Sequence, residues 1–210
     1  MSGPDFSFEA AAIARGARLV AGVDEVGRGP LCGPVTAAAV ILNPDAIPEG
    51  LNDSKKLSAR RRNELFDWLT RNCDWSVAHV DVEEIDRLNI YHASHLAMCR
   101  AVAGLKQRPD YVLVDGNKLP RDLGLSAEAI VKGDARSVTI AAASILAKVL
   151  RDRIMESLAQ QYPGYGWEVN AGYPTPAHKK ALLELGVTPH HRRSFKPVHN
   201  ILCKSPLPSN

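Results

Sequence analysis

The sequence has few of the features that would place it in a specialised class. Its four cysteines, Cys32, Cys73, Cys99 and Cys203, form no C-x-x-C pair and no disulfide-like framework. The expectation is reduced thiols, with neither zinc nor disulfides. No apolar run approaches the roughly 20 residues of a membrane-spanning helix. The opening MSGPDFSFEA holds no basic segment followed by an apolar one. No export signal is therefore expected, and the reading is a cytoplasmic protein without membrane contact. Neither G-x-x-x-x-G-K-[ST] nor G-x-G-x-x-G occurs, which argues against nucleotide-binding enzymes built on those loops. A large excess of either charge is lacking too. Twenty-six Lys and Arg against 23 Asp and Glu leave a net charge of +3, which permits a nucleic-acid partner without arguing for one. There are no internal repeats.

What is present is a globular composition. The 210 residues are 45% hydrophobic and 23% charged, enough for one domain with a buried core. Residues 1–18 read as a short arm, 19–200 as a single domain and 201–210 as a flexible tail. Strands are expected at ARLVAGVD, TAAAVIL, DWSVAHVD and PDYVLVDGN, and in AEAIVKGD as far as about Asp134. Helices are expected in DSKKLSARRRNELFDWLTRN, in NIYHASHLAMCRAVAGL, in the long Ala-rich SVTIAAASILAKVLRDRIMESLAQQ and in TPAHKKALLELG. Strands mixed with helices predict an α/β class with a mixed central sheet flanked by helices.

Three acids share one setting. Asp24 follows LVAGV, Asp115 follows YVLV and Asp134 follows AIVKG. Each stands where an apolar strand runs out, and ligands of open α/β sheets gather at strand ends. Neighbouring strands would bring the carboxylates together, where they would repel one another and favour a hard divalent cation. Two such ions about 3.5–4 Å apart can clamp a phosphodiester for in-line attack by water. Any one of these acids alone reads as a turn or cap residue, and Glu25 alone as a solvated loop residue. The adjacent pair Asp24–Glu25 before Gly27-Arg28-Gly29 is harder to set aside, because burying two acids without a partner is costly.

The segments GVDEVGRGPLCGPVTAAAVIL, LNDSKKLS, VDGN, VKGD with AAASILAKVLRD, GYPTPAHKKAL and GVTPHHRRSFKPV, in that order from about Gly22 to Val198, resemble bacterial ribonuclease HII. The sister family HIII carries a sizeable extra N-terminal domain, and only 23 residues precede Asp24. The resemblance implies an RNase H-like fold with a small C-terminal helical extension, about 162–200, that binds substrate. It implies an endonuclease that hydrolyses the RNA strand of RNA–DNA hybrids and nicks 5′ of ribonucleotides in duplex DNA, leaving 5′-phosphomonoesters, in ribonucleotide excision repair. It implies Mg²⁺ or Mn²⁺, two ions per site, held by Asp24, Glu25, Asp115 and Asp134. Gly27, Arg28 and Gly29 would test the 2′-OH through close backbone approach, and Tyr173 would stack on the sugar at the junction.

Beside such a site the basic runs become candidate phosphate contacts: Lys55 ahead of Lys56, and His190, His191, Arg192, Arg193 and Lys196. Ser144 and Lys148 share a helical face toward the substrate, with an interior ion pair equally open for Lys148. Arg151 and Asp152 read as structural. The tail has no Q-x-x-[apolar]-x-x-aromatic-aromatic motif, so no clamp partner is expected, and a monomer is. Two other readings stay open: a catalytically silent hybrid-binding module, and a metal-dependent phosphatase acting on small molecules.

Overall fold

The computed structural model describes residues 3–203. Five strands form one sheet: β1 (Val20–Val26), β2 (Val35–Ile41), β3 (Asp74–Val80), β4 (Tyr111–Asp115) and β5 (Ser126–Ile130), in the order β3-β2-β1-β4-β5. β1–β2 and β2–β3 are antiparallel, whereas β1–β4 and β4–β5 are parallel. This is the mixed sheet expected of the sequence. The helices are α1 (Ser7–Ala14), α2 (Ala59–Asn72), α3 (Val82–Leu88), α4 (Ile90–Ala103), α5 (Val138–Gln161), α6 (Trp167–Asn170), α7 (Pro176–Leu185) and α8 (Lys196–Leu202). None is long and apolar enough to cross a membrane.

Polar side chains fix where the helices begin. Ser58, Asp81, Asn89, Ser137 and Thr175 each accept a backbone N–H from the first turn of α2, α3, α4, α5 and α7 respectively, satisfying donors the helix cannot pair itself. Alternation along the strands splits the core into two layers. Ala21, Val23, Val112 and Val114 face α4, while Ala38 and Val40 on β2 meet α2 and the Ala-rich half of α5. At Gly22 a Cβ would stand 2.5 Å from the backbone of Thr139, so only glycine lets α5 lie this close to β1.

Two expectations are refined. The strand expected to end near Asp134 stops at Ile130, and Asp134 falls in a 3-10 turn, Gly133–Ala135. Helices α3, α6 and α8 were not read from the sequence. The N-terminal segment forms α1, whose Glu9 is buried and accepts both the Ser137 hydroxyl (2.6 Å) and the Thr139 N–H (3.0 Å) at the start of α5. Of the expected tail 201–210, residues 204–210 lie outside the described residues.

Candidate active site

Register sets the acids side by side. Val23 pairs with Val114 across the parallel strands, so Asp24 and Asp115 follow at the same sheet end, on the face turned to α5. Glu25 comes from the next position of β1. One carboxylate oxygen from each of Asp24, Glu25 and Asp115 lies within 4.8 Å of the other two. Asp134 is outside that triple, yet its charge acts on Asp24 and it feels that of Asp115. Asp115 Oδ1 accepts the Gly133 N–H at 2.7 Å, which ties the turn carrying Asp134 to β4.

The cluster resists ionisation. Burial, then the charges of Glu25, Asp115 and Asp134, push Asp24 well above the usual carboxylate range. Burial also raises Glu25, opposed by Arg28, whose Nη1 donates to Glu25 Oε1 at 3.2 Å. Burial, with Asp53 and Asp115, pushes Asp134 up to about 6. Glu25 Oε2 is buried with no hydrogen-bond partner. Oxygen-only donors, mutual repulsion and an orphaned carboxylate oxygen together fit a hard divalent cation.

Sequence reasoning missed Asp53. Its charge is one of those that push the Asp134 carboxyl up, and its Oδ1 accepts the Lys55 N–H at 2.9 Å. Lys55 faces the acids: burial lowers its ammonium, but Asp24, Asp53 and Asp134 hold it above its ordinary value.

The Gly27–Pro34 loop is held from behind. Gly27 has φ +92°, and a Cβ there would stand 2.2 Å from Arg151 Nε. Arg151 is buried and donates to the carbonyls of Cys32, Pro34 and Ala171, a structural role as expected. Arg192 requires a correction. It was expected on phosphates, but it is fully buried and donates to the carbonyls of Gly27 (2.6 Å), Pro30 (2.8 Å), Gly33 (3.0 Å) and Arg28 (3.1 Å). Its guanidinium is used up fastening the loop and cannot reach a duplex. His191 is buried too, so it is also corrected. Arg193 is exposed, with its backbone N–H on Asp86. Among the described residues the N–H groups of Arg28 and Gly29 have no protein partner, so the loop's carbonyls point inward to Arg192 while two of its donors remain available. Tyr173 is 40% exposed, with its ring against Gly29.

Ser144 is corrected as well. It is buried, donates to the Ala141 carbonyl and accepts the Ser54 N–H at 3.3 Å. It therefore anchors the loop that carries Lys55 instead of meeting substrate. Lys148 is paired with Asp152 at 2.7 Å, the ion pair left open by the sequence.

The family model for ribonuclease HII matches residues 21–198. The chain is 72% identical to the ribonuclease HII of Paracoccus denitrificans over 204 residues, 97% of each chain. Its structure is similar to the ribonuclease H2 of Pyrococcus horikoshii, with TM-score 0.77 and 31% identity over 88% of this chain and 97% of that one. A Bst-RNase HIII in complex with Mn²⁺ shares the fold, with TM-score 0.74 at 19% identity, over 92% of this chain and 72% of that one.

Proposed function

The chain belongs to the ribonuclease HII family, and from that membership we propose an endoribonuclease that hydrolyses the RNA strand of RNA–DNA hybrids and nicks 5′ of ribonucleotides embedded in duplex DNA. The observation that carries the reading is the convergence of Asp24, Glu25 and Asp115, with Asp134 in electrostatic reach. These four acids would hold the divalent ions. Two Mg²⁺ or Mn²⁺ bound there would stabilise negative charge on the phosphodiester and favour attack by water.

The rest is positioning by the protein's own groups. Lys55, facing the acids, holds a backbone phosphate next to the reacting one. The available N–H groups of Arg28 and Gly29 donate to the ribose 2′ oxygen, which DNA lacks. Arg192 keeps those donors in place by occupying the loop's carbonyls. Tyr173 offers an exposed ring, next to the same loop, on which the neighbouring sugar stacks. Arg193 and Lys196, both exposed, hold phosphates further along the duplex.

The deciding experiment is incubation with a DNA duplex carrying one ribonucleotide, with and without Mn²⁺. A metal-dependent nick on the 5′ side of the ribonucleotide is expected. Binding without cleavage would instead favour a silent binding module, and hydrolysis of small phosphate esters without a nick would favour a phosphatase.

A further inference from the structure

Behind Tyr173 lies a group of buried side chains that the proposed chemistry does not use. Cys32, His178 and His191 are all 0% exposed, with ligand atoms within 4.8 Å of one another. Such a trio could in principle take a soft metal. Its hydrogen bonds point elsewhere. The Trp167 indole N–H, which can only donate, meets His178 Nε2 at 3.0 Å, so that nitrogen carries the lone pair. The proton of His178 is then on Nδ1 and is donated to the Tyr173 carbonyl at 2.9 Å. The Thr188 backbone N–H, again only a donor, meets His191 Nδ1 at 3.0 Å. The proton of His191 is therefore on Nε2, facing His178 Nε2 at 3.3 Å. Every ring nitrogen is committed, and His191 has no lone pair left to share with Cys32.

The order of donors runs one way, from the Thr188 N–H through His191 and His178 to the Tyr173 carbonyl. The Tyr173 end and His191 both adjoin the substrate-reading loop. Tyr173 lies against Gly29. His191 precedes Arg192, which grips that loop's carbonyls, and Cys32 bridges to His191. The Tyr173 carbonyl also accepts the Thr175 N–H at 2.8 Å, which begins α7. Two donors thus fix the peptide on which the exposed ring pivots.

We propose that His178 is a positioning residue for ribonucleotide recognition: its Nδ1–H, set in that tautomer by Trp167 and His191, holds the Tyr173 backbone so that the ring stands over Gly29. This rests on the reading of Tyr173 as the residue that contacts the sugar. His178 itself touches no substrate, so its loss should act through Tyr173. A misplaced ring costs most where a single ribonucleotide is the only feature to read.

Three measurements test this. Long-range ¹⁵N–¹H spectra of the intact protein at neutral pH should show His178 protonated at Nδ1 and His191 at Nε2; the opposite tautomer for His178 overturns the proposal. Second, His178→Leu should lower nicking of the single-ribonucleotide duplex roughly tenfold more than cleavage of a continuous hybrid. His178→Asn, whose amide N–H can stand in for Nδ1–H, should restore most of the difference. Should His178→Leu not fold, His178→Gln, which places its amide where Nε2 stood, takes its place against His178→Asn. Equal losses on both substrates, or no rescue by Asn, overturn the proposal. Third, Tyr173→Ala is run in parallel. Equal losses on both substrates in Tyr173→Ala would reject the sugar-reading role and this proposal with it. Selective loss in Tyr173→Ala but not in the His178 variants would reject the positioning role alone.

Discussion

The Tyr173 ring rests on Gly29, with Cε1 3.2 Å from where a Cβ on that glycine would stand. Two residues earlier the same kind of substitution meets something different, since a Cβ on Gly27 would run into the buried Arg151. The two glycines should therefore fail differently. Tyr173 is part-exposed and can swing aside, so Gly29→Ala should cost less than about 1 kcal/mol of stability. It should lower nicking at single ribonucleotides several-fold more than hybrid cleavage. Gly27→Ala must adopt φ +92° and displace a guanidinium, and about 3 kcal/mol or more should be lost. Melting curves and paired cleavage assays check both. A stable Gly27→Ala protein would show that packing against Arg151 is not what demands glycine.

Arg192 and Arg193 are adjacent and should behave as opposites. Arg192→Lys leaves several buried carbonyls without donors, and a lysine cannot reproduce the guanidinium fork. A loss of about 2–4 kcal/mol is expected, with the salt dependence of duplex binding unchanged. Arg193→Ala should leave the melting temperature alone and reduce the slope of log K against log salt by about 0.9 for each phosphate that Arg193 neutralises. Equal salt slopes in Arg193→Ala and the parent protein would remove Arg193 from the interface.

The contrast between these neighbours shows what local sequence can and cannot reveal. Asp24 and Asp115 were legible because an apolar strand announces its own end, and the Ala-rich α5 announced close packing that Gly22 makes possible. Asp53 was not legible, because an acid in a polar loop reads as a turn residue, and its Oδ1 does cap the Lys55 N–H. Its second role depends on Asp134, which only folding brings near. Arg192 looked like surface because arginine is rarely buried. The carbonyls that surround it belong to a loop far earlier in the chain. Ser144 misled in the same way, since its helical face was readable but its neighbour Ser54 was not. Helices α3 and α6 are too short for periodicity to register.

Acid should weaken the fold through His191. Burial, then the charges of His178 and His190, pull this imidazole from 6.5 down to about 4. Between those values the unfolded chain binds more protons than the native one. The stability it contributes is thus fully present above pH 6.5 and is lost as pH falls toward about 4. The raised carboxylates act in the opposite sense over an overlapping range, so the test is a difference. Denaturant unfolding of the parent and of His191→Leu should show a gap that narrows by roughly 2–3 kcal/mol from about pH 7.5 to about pH 4. A gap constant with pH would mean that His191 takes up its proton as readily in the native protein as in the unfolded chain.

The acid cluster should trade stability for function in a measurable way. Asp24 is 6% exposed and is pushed toward its neutral form by burial and by three neighbouring acids. Without a cation, holding it ionised at about pH 8 costs free energy that the fold must supply. Asp24→Asn keeps the shape and keeps an oxygen to accept the Glu25 N–H that Asp24 Oδ1 now accepts at 2.7 Å, while removing the charge. In EDTA at about pH 8 the variant should therefore melt higher than the parent, by an amount on the order of 1–2 kcal/mol, or a few degrees for a domain of this size. Adding Mn²⁺ should reverse the order, because only the parent gains a ligand that binds the native state alone. Cleavage by the variant should fall to near the background in every metal condition. A variant that melts lower than the parent in EDTA would show that Asp24 is stabilised by partners within the protein. The cluster would then be a structural network, and the four acids would lose their claim to hold the metal.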